Sequence, residues 1–134
     1  MYTVIRFIIK DPVILEKAKL IGAELNEIIP GVYEGMRKAR DGFACSMSSN
    51  EDWMEHQQDL IGFILKIENS IVKAKAEGIS IVVDISVDSD PSSLLNSYRF
   101  SGELLKKLVN YGIDLEMSVY GVETAKPNDS ESKA

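Results

Sequence analysis

Cys45 and His56 are the only cysteine and the only histidine of the chain. A thiol beside an imidazole is the smallest pair here that could do nucleophilic chemistry, provided the base lies within hydrogen-bond reach of the sulfur. Cys45 alternates with Phe43 and Met47 along an apolar run, and His56 falls near the start of a helical stretch. Nothing in their spacing brings them together. A cysteine on an apolar strand face is a small core hydrophobe, which is the reading taken for Cys45. A single cysteine also excludes an internal disulfide and a cysteine-rich zinc site, and an unpaired thiol suits a reducing compartment.

A second candidate is the run VDISVDSDPS, with Asp88-Ser89-Asp90 directly after an apolar strand. Acids at the carboxyl end of a strand can hold magnesium, and open α/β sheets bind ligands there. The run superficially resembles the nucleophile motif of haloacid-dehalogenase-like phosphatases. That family places its motif on an early strand with a large domain downstream, and its later lysine and acidic motifs are not evident here. Asp-Pro and serine runs are also ordinary turn chemistry, and a turn is expected. Neither G-x-G-x-x-G nor G-x-x-x-x-G-K occurs, so no phosphate-cradling loop is read. Arg37, Lys38 and Arg40 form a small basic tip, read as solvation of a turn. No cofactor, metal or catalytic residue is assigned.

The most informative constellation is a row of acids. In ISIVVDISVD (79–88), Asp84 and Asp88 share a face with Ser80 and Ser86. In IDLEMSVY (113–120), Asp114 and Glu116 share a face with Ser118 and Tyr120. With helices over the opposite, aliphatic face, the four carboxylates lie on one open sheet surface and are expected to be exposed. The surface is either merely solvated or a docking site for a basic partner, with Asp84, Ser86, Asp88, Asp114, Glu116 and Tyr120 as contacts. A second acidic stretch, Glu51, Asp52, Glu55 and Asp59, surrounds Trp53 and Met54.

The elements that must position these residues follow from periodicity. Residues 3–10 read as a central strand, with apolar side chains on both faces. Asp11-Pro12 caps and starts a helix carrying Ile14, Ala18, Ile21, Leu25 and Ile28, which Gly22 could end early. Residues 32–38 and 42–48 form a hairpin across Asp41-Gly42. Asn50 opens a helix to Gly78, with Trp53, Leu60, Ile64, Ile67, Ile71 and Ala74 on one side, Gln57 interrupting that row, and Gly62 as a candidate kink. About 27 residues at 1.5 Å each give it a length of about 40 Å. After the strand at 79–88, Ser101 caps a helix with Leu104, Leu105, Leu108 and Val109, Gly112 stops it, and the strand at 113–120 ends the fold. The order β-α-β-β-α-β-α-β is a ferredoxin-like split unit extended by one α-β. It predicts an α/β (α+β) domain over 1–121, with one mixed sheet, helices on one face and the last two strands parallel. Residues 122–134 read as a polar tail.

At 134 residues, 45% of them hydrophobic and 27% charged, the chain has the size and composition of one globular domain. Its 21 acidic and 15 basic residues give a net charge of −6. That charge repels phosphate backbones and anionic membranes, so neither nucleic acid nor membrane is an expected partner. The N-terminal apolar run contains Arg6 and does not read as a signal peptide, and no apolar run approaches the ~20 residues that span a bilayer. A cytoplasmic protein is expected.

The second half carries a resemblance. Trp53 opens a long amphipathic helix, a strand follows, and FSGELLKKLVNYGIDLEMSVY (100–120) adds a helix with Leu-x-x-Leu/Val, Tyr-Gly, an acid-spaced strand and a terminal Val-Tyr. Over about residues 50–121 this is similar to a broad bacterial family of single-domain proteins of unknown function, with a weaker echo in the first strand and its Asp-Pro helix start. Members of that family are suspected to include immunity proteins of polymorphic toxin systems. The resemblance implies a non-catalytic protein that neutralises a cognate, basic toxin by direct binding, and it transfers no active-site residue. The alternative is a small-molecule-binding regulatory domain of ferredoxin-like type, assembled through sheet edges. A homodimer is compatible with either.

Overall fold

A computed structural model describes residues 1–34, 42–48, 52–88 and 97–121. Strand β1 (Tyr2–Ile8) leads through a 3-10 turn (Pro12–Ile14) into α1 (Leu15–Ile28). Then come β2 (Tyr33–Glu34), β3 (Gly42–Ser48), α2 (Trp53–Lys66), α3 (Glu68–Ala76), β4 (Ser80–Asp88), α4 (Gly102–Tyr111) and β5 (Asp114–Tyr120). The strands form one mixed sheet in the order β2-β3-β1-β4-β5. β1 is antiparallel to both β3 and β4, while β4 and β5 are parallel. This is the expected ferredoxin-like split unit with one further α-β. The central place of β1 explains why apolar side chains occur on both of its faces.

Period-two alternation sends Ile5 and Phe7 of β1, Phe43 and Cys45 of β3, and Ile81, Val83 and Ile85 of β4 to one side. There they are buried with Ala18, Ile21 and Leu25 of α1, Leu60 and Ile64 of α2, Ile71 of α3, and Leu104 and Leu108 of α4. Register sets Phe7 beside Phe43, and their rings stack with centroids 4.6 Å apart. Val83 lies between Ile5 and Leu115 and is fully buried.

Asp11 caps the first turn by accepting from Val13 N–H at 3.0 Å. α1 runs on through Gly22 to Ile28. Gly22 lies inside α1 against the Phe43 ring, where a Cβ would make ordinary contact at 3.4 Å from Cγ, so it does not end the helix. Gly112 does end α4, in the left-handed conformation (φ 66°) that glycine adopts without strain.

The single 40 Å helix expected after Asn50 is corrected. Asp52, not Asn50, is the cap, accepting from Met54 and Glu55 N–H at 2.9 and 3.1 Å. The helix is divided at Ile67 (φ −103°, ψ 18°), not at Gly62. Ile67 N–H still reaches Phe63 O at 3.1 Å and its carbonyl still accepts from Ile71 N–H at 3.1 Å, so the chain bends rather than breaks. Ile64, Ile67 and Ile71, on both sides of and at this point, are all fully buried. Among the described residues, no helix is long and apolar enough to cross a membrane. Of the expected hairpin, the described part is β2 paired antiparallel with β3, Tyr33 opposite Ala44. Its tip with Arg37, Lys38 and Arg40, together with Asn50, Glu51, Asp90 and the tail at 122–134, lies outside the described residues.

Candidate functional site

Parallel pairing of β4 and β5 sets Asp84 beside Glu116, Ser86 beside Ser118, and Asp88 beside Tyr120, with Asp114 next to Val82. The acidic row therefore exists on the face away from the helices. Asp88, Asp114, Glu116 and Tyr120 are exposed, and Ser86 is half-buried.

Asp84 corrects the expectation of four exposed acids, because it is only 5% accessible. β1 supplies the reason. Val4 lies directly across from Asp84, and Arg6 lies one diagonal step along the same face, within reach of a long side chain. Arg6 Nη1 sits 2.9 Å from Asp84 Oδ2. Ser118 donates its hydroxyl to Asp84 Oδ1 at 2.9 Å. A buried carboxylate is tolerated when it is paired and its lone pairs are satisfied. Asp84 is thus a cross-strand clamp joining β1, β4 and β5, and the free acids of the face are Asp88, Asp114 and Glu116.

Where β4 ends, the face runs into a cleft of about 240 Å³ lined by Met1, Tyr2, Ser86, Val87, Asp88 and Tyr98. Its far wall is held by aromatic packing and by hydrogen bonds to backbone. Trp53 meets Tyr98 and Phe100 edge-on, with ring centroids 5.4 and 5.3 Å away. The Trp53 indole N–H donates to Arg99 O at 2.6 Å, and Gln57 Nε2 donates to the same carbonyl at 3.1 Å. Gln57 Oε1 in turn accepts from Ser101 N–H at 2.8 Å. Gln57, the polar residue that interrupts the apolar row, is fully buried and pins the segment 98–101. A polar residue on a core-facing row was itself a signal of buried hydrogen bonding. Met1, Tyr2 and Tyr98 carried no comparable signal.

Cys45 and His56 both lie in the buried core. Cys45 lies across from Ile5, fully buried, and burial pushes its thiol up to about 12. A thiol so protonated is not a nucleophile at neutral pH. His56 Nε2 is 2.7 Å from Thr3 Oγ1, and both residues are fully buried. Burial lowers the imidazole pKa, the N-terminal ammonium lowers it further, and Asp59 opposes the shift.

A second cleft, about 310 Å³ between α1 and α3, has Leu20, Ile21 and Ala76 as its apolar lining. Its rim charges pair with each other, Lys73 with Glu24 at 2.8 Å and Lys17 with Glu77 at 3.5 Å. Among the described residues, no group of three or more His, Cys, Asp or Glu side chains could hold a metal ion. Comparison of the chain with models of protein families, with curated proteins and with solved structures finds no match.

Proposed function

We propose that the protein is a non-catalytic binding protein whose working surface is the uncovered face of β4 and β5. An immunity protein that neutralises a basic toxin by occluding it is the form that fits best. The observation that carries this reading is the arrangement of Asp88, Asp114 and Glu116. They are exposed on adjacent strands, and Arg6, the cation of this face among the described residues, is already paired with Asp84. Their common sign gives this face a negative potential, which a cationic partner would meet. The net charge of −6 would speed encounter with such a partner.

The test is copurification from the native host, with Asp114→Lys/Glu116→Lys as the comparison. Both positions are exposed, so the fold should persist. A basic protein retained by the parent chain, and lost by the folded variant with a weakened salt dependence, supports the reading. Equal retention refutes it.

The cleft at the end of β4 favours a second reading, a small-molecule-binding regulatory domain. Its shape suits a small ligand with a cationic group against Asp88, between Tyr2 and Tyr98. An adjacent reading frame encoding a metabolic enzyme would favour this reading, whereas one encoding a toxin would favour the first.

A further inference from the structure

One edge of the sheet is β5, Asp114–Tyr120. It offers seven residues, and DLEMSVY contains no Lys, Pro or Gly, while its two charges, Asp114 and Glu116, both lie on the open face. Its helix-side row is Leu115, Met117 and Val119, with no inward-pointing charge. Leu115 and Met117 are half-buried, and Val119 is 55% exposed although it lies on the core side.

α4 continues this apolar border. Glu103 and Tyr111 face α2 and α3, bonding Gln58 and Glu68. Leu105 lies two residues beyond Glu103, about 200° round the helix, so it turns away from α2, toward the β5 edge. Val109, one turn on, is 77% exposed on the same side.

We infer that the β5 edge is an interface for a second copy of this chain, with the two β5 strands pairing antiparallel about a two-fold axis through Met117. In that register Met117 meets Met117, and Leu115 meets Val119 of the other copy. On the open face Glu116 meets Ser118, and Asp114 meets Tyr120. Every apolar residue has an apolar partner, every acid faces a hydroxyl, and no like charges stand opposite. Centring the axis on Glu116 would instead set two carboxylates together. The chosen contact is self-complementary and closed, as a two-fold interface must be. It joins the sheets into one and turns the Leu105/Val109 sides of the two α4 helices toward each other. The two acidic faces become one continuous surface. This inference is independent of the partner proposed above.

Sedimentation equilibrium of the full chain should give twice its 14.9 kDa mass. Association should strengthen as salt rises, because each copy carries a charge of −6. This sign is opposite to that expected for a cationic partner. Val119→Lys, at an exposed position, should yield a folded monomer. Met117→Cys should cross-link between copies under mild oxidation, because facing Cα atoms of about 4.5–5.5 Å separation suit a disulfide. Cys45, fully buried, stays silent. A monomeric parent chain at every concentration reached overturns the inference. So does a folded Val119→Lys that dimerises like the parent while Met117→Cys fails to cross-link. Should Val119→Lys not fold, the Met117→Cys cross-link decides alone.

Discussion

Asp84→Ala is the substitution with the largest consequence outside the apolar core. It removes the acceptor of both the Arg6 guanidinium and the Ser118 hydroxyl, each at 2.9 Å. Breaking a fully buried ion pair costs about 3–5 kcal/mol, mostly because the surviving charge is stranded. Here the Asp84 side chain is 7% accessible, but that of Arg6 is 29% accessible and can turn partly to water. The expected loss is therefore about 2–3 kcal/mol, a large share of the roughly 5–15 kcal/mol that holds a domain together. Urea unfolding followed by circular dichroism measures it. A double-mutant cycle with Arg6→Met separates the pair from the rest and should give a coupling of about 1–3 kcal/mol. Asp84→Leu combined with Arg6→Met should recover most of the loss, since an apolar pair replaces a buried ionic one with little penalty. A loss for Asp84→Ala below about 0.5 kcal/mol, with no coupling, would place the pair in solvent and refute the clamp. For the same reason, reversing the charge of Asp84 perturbs folding and cannot report on binding. Asp114 and Glu116 are the positions that can.

Val83→Asp, at a fully buried position of β4, should leave no cooperative unfolding transition by circular dichroism, because an unpaired carboxylate among Ile5, Ile85 and Leu115 costs more than about 4 kcal/mol; a transition within about 1 kcal/mol of the parent would show that the strand faces are reversed. His56 predicts a pH dependence. Its folded pKa lies below the ordinary 6.5, so between the two values the unfolded chain binds more protons. Its contribution is complete above 6.5 and is lost as pH falls through that window toward the folded value. Stability measured across that range should decline with acidity, and His56→Gln should flatten the decline; an unchanged slope in the variant would assign it to other groups.

Much of the architecture was legible in the sequence because its signals are local. The alternation of Ile81, Val83, Ile85 and Val87, the Asp-Pro start at Asp11 and the Ser101 and Gly112 caps each depend on residues close in the chain. The acidic row was legible for the same reason, since period two alone places Asp114 and Glu116 together. The pairing of Arg6 with Asp84 was not, because it depends on the register that puts Val4 opposite Asp84, and no local pattern encodes it. The bend at Ile67 was hidden because the apolar spacing through Leu60, Ile64, Ile67, Ile71 and Ala74 continues across it. The anchoring of residues 98–101 was hidden because a backbone carbonyl such as that of Arg99 looks alike in every sequence.

The central position of β1 has a kinetic consequence. Its neighbours in the sheet are β3 and β4, so Ile5 must find Cys45 on one side and Val83 on the other. During synthesis the first strand to emerge waits unpaired until Gly42–Ser48 has been made, and its other edge waits until Ser80–Asp88 follows. Such distant pairings slow a folding reaction and prolong the exposure of an aggregation-prone strand. Arg6 on one face of that strand supplies a charge during the wait, and the same residue closes onto Asp84 when the last of its neighbours arrives.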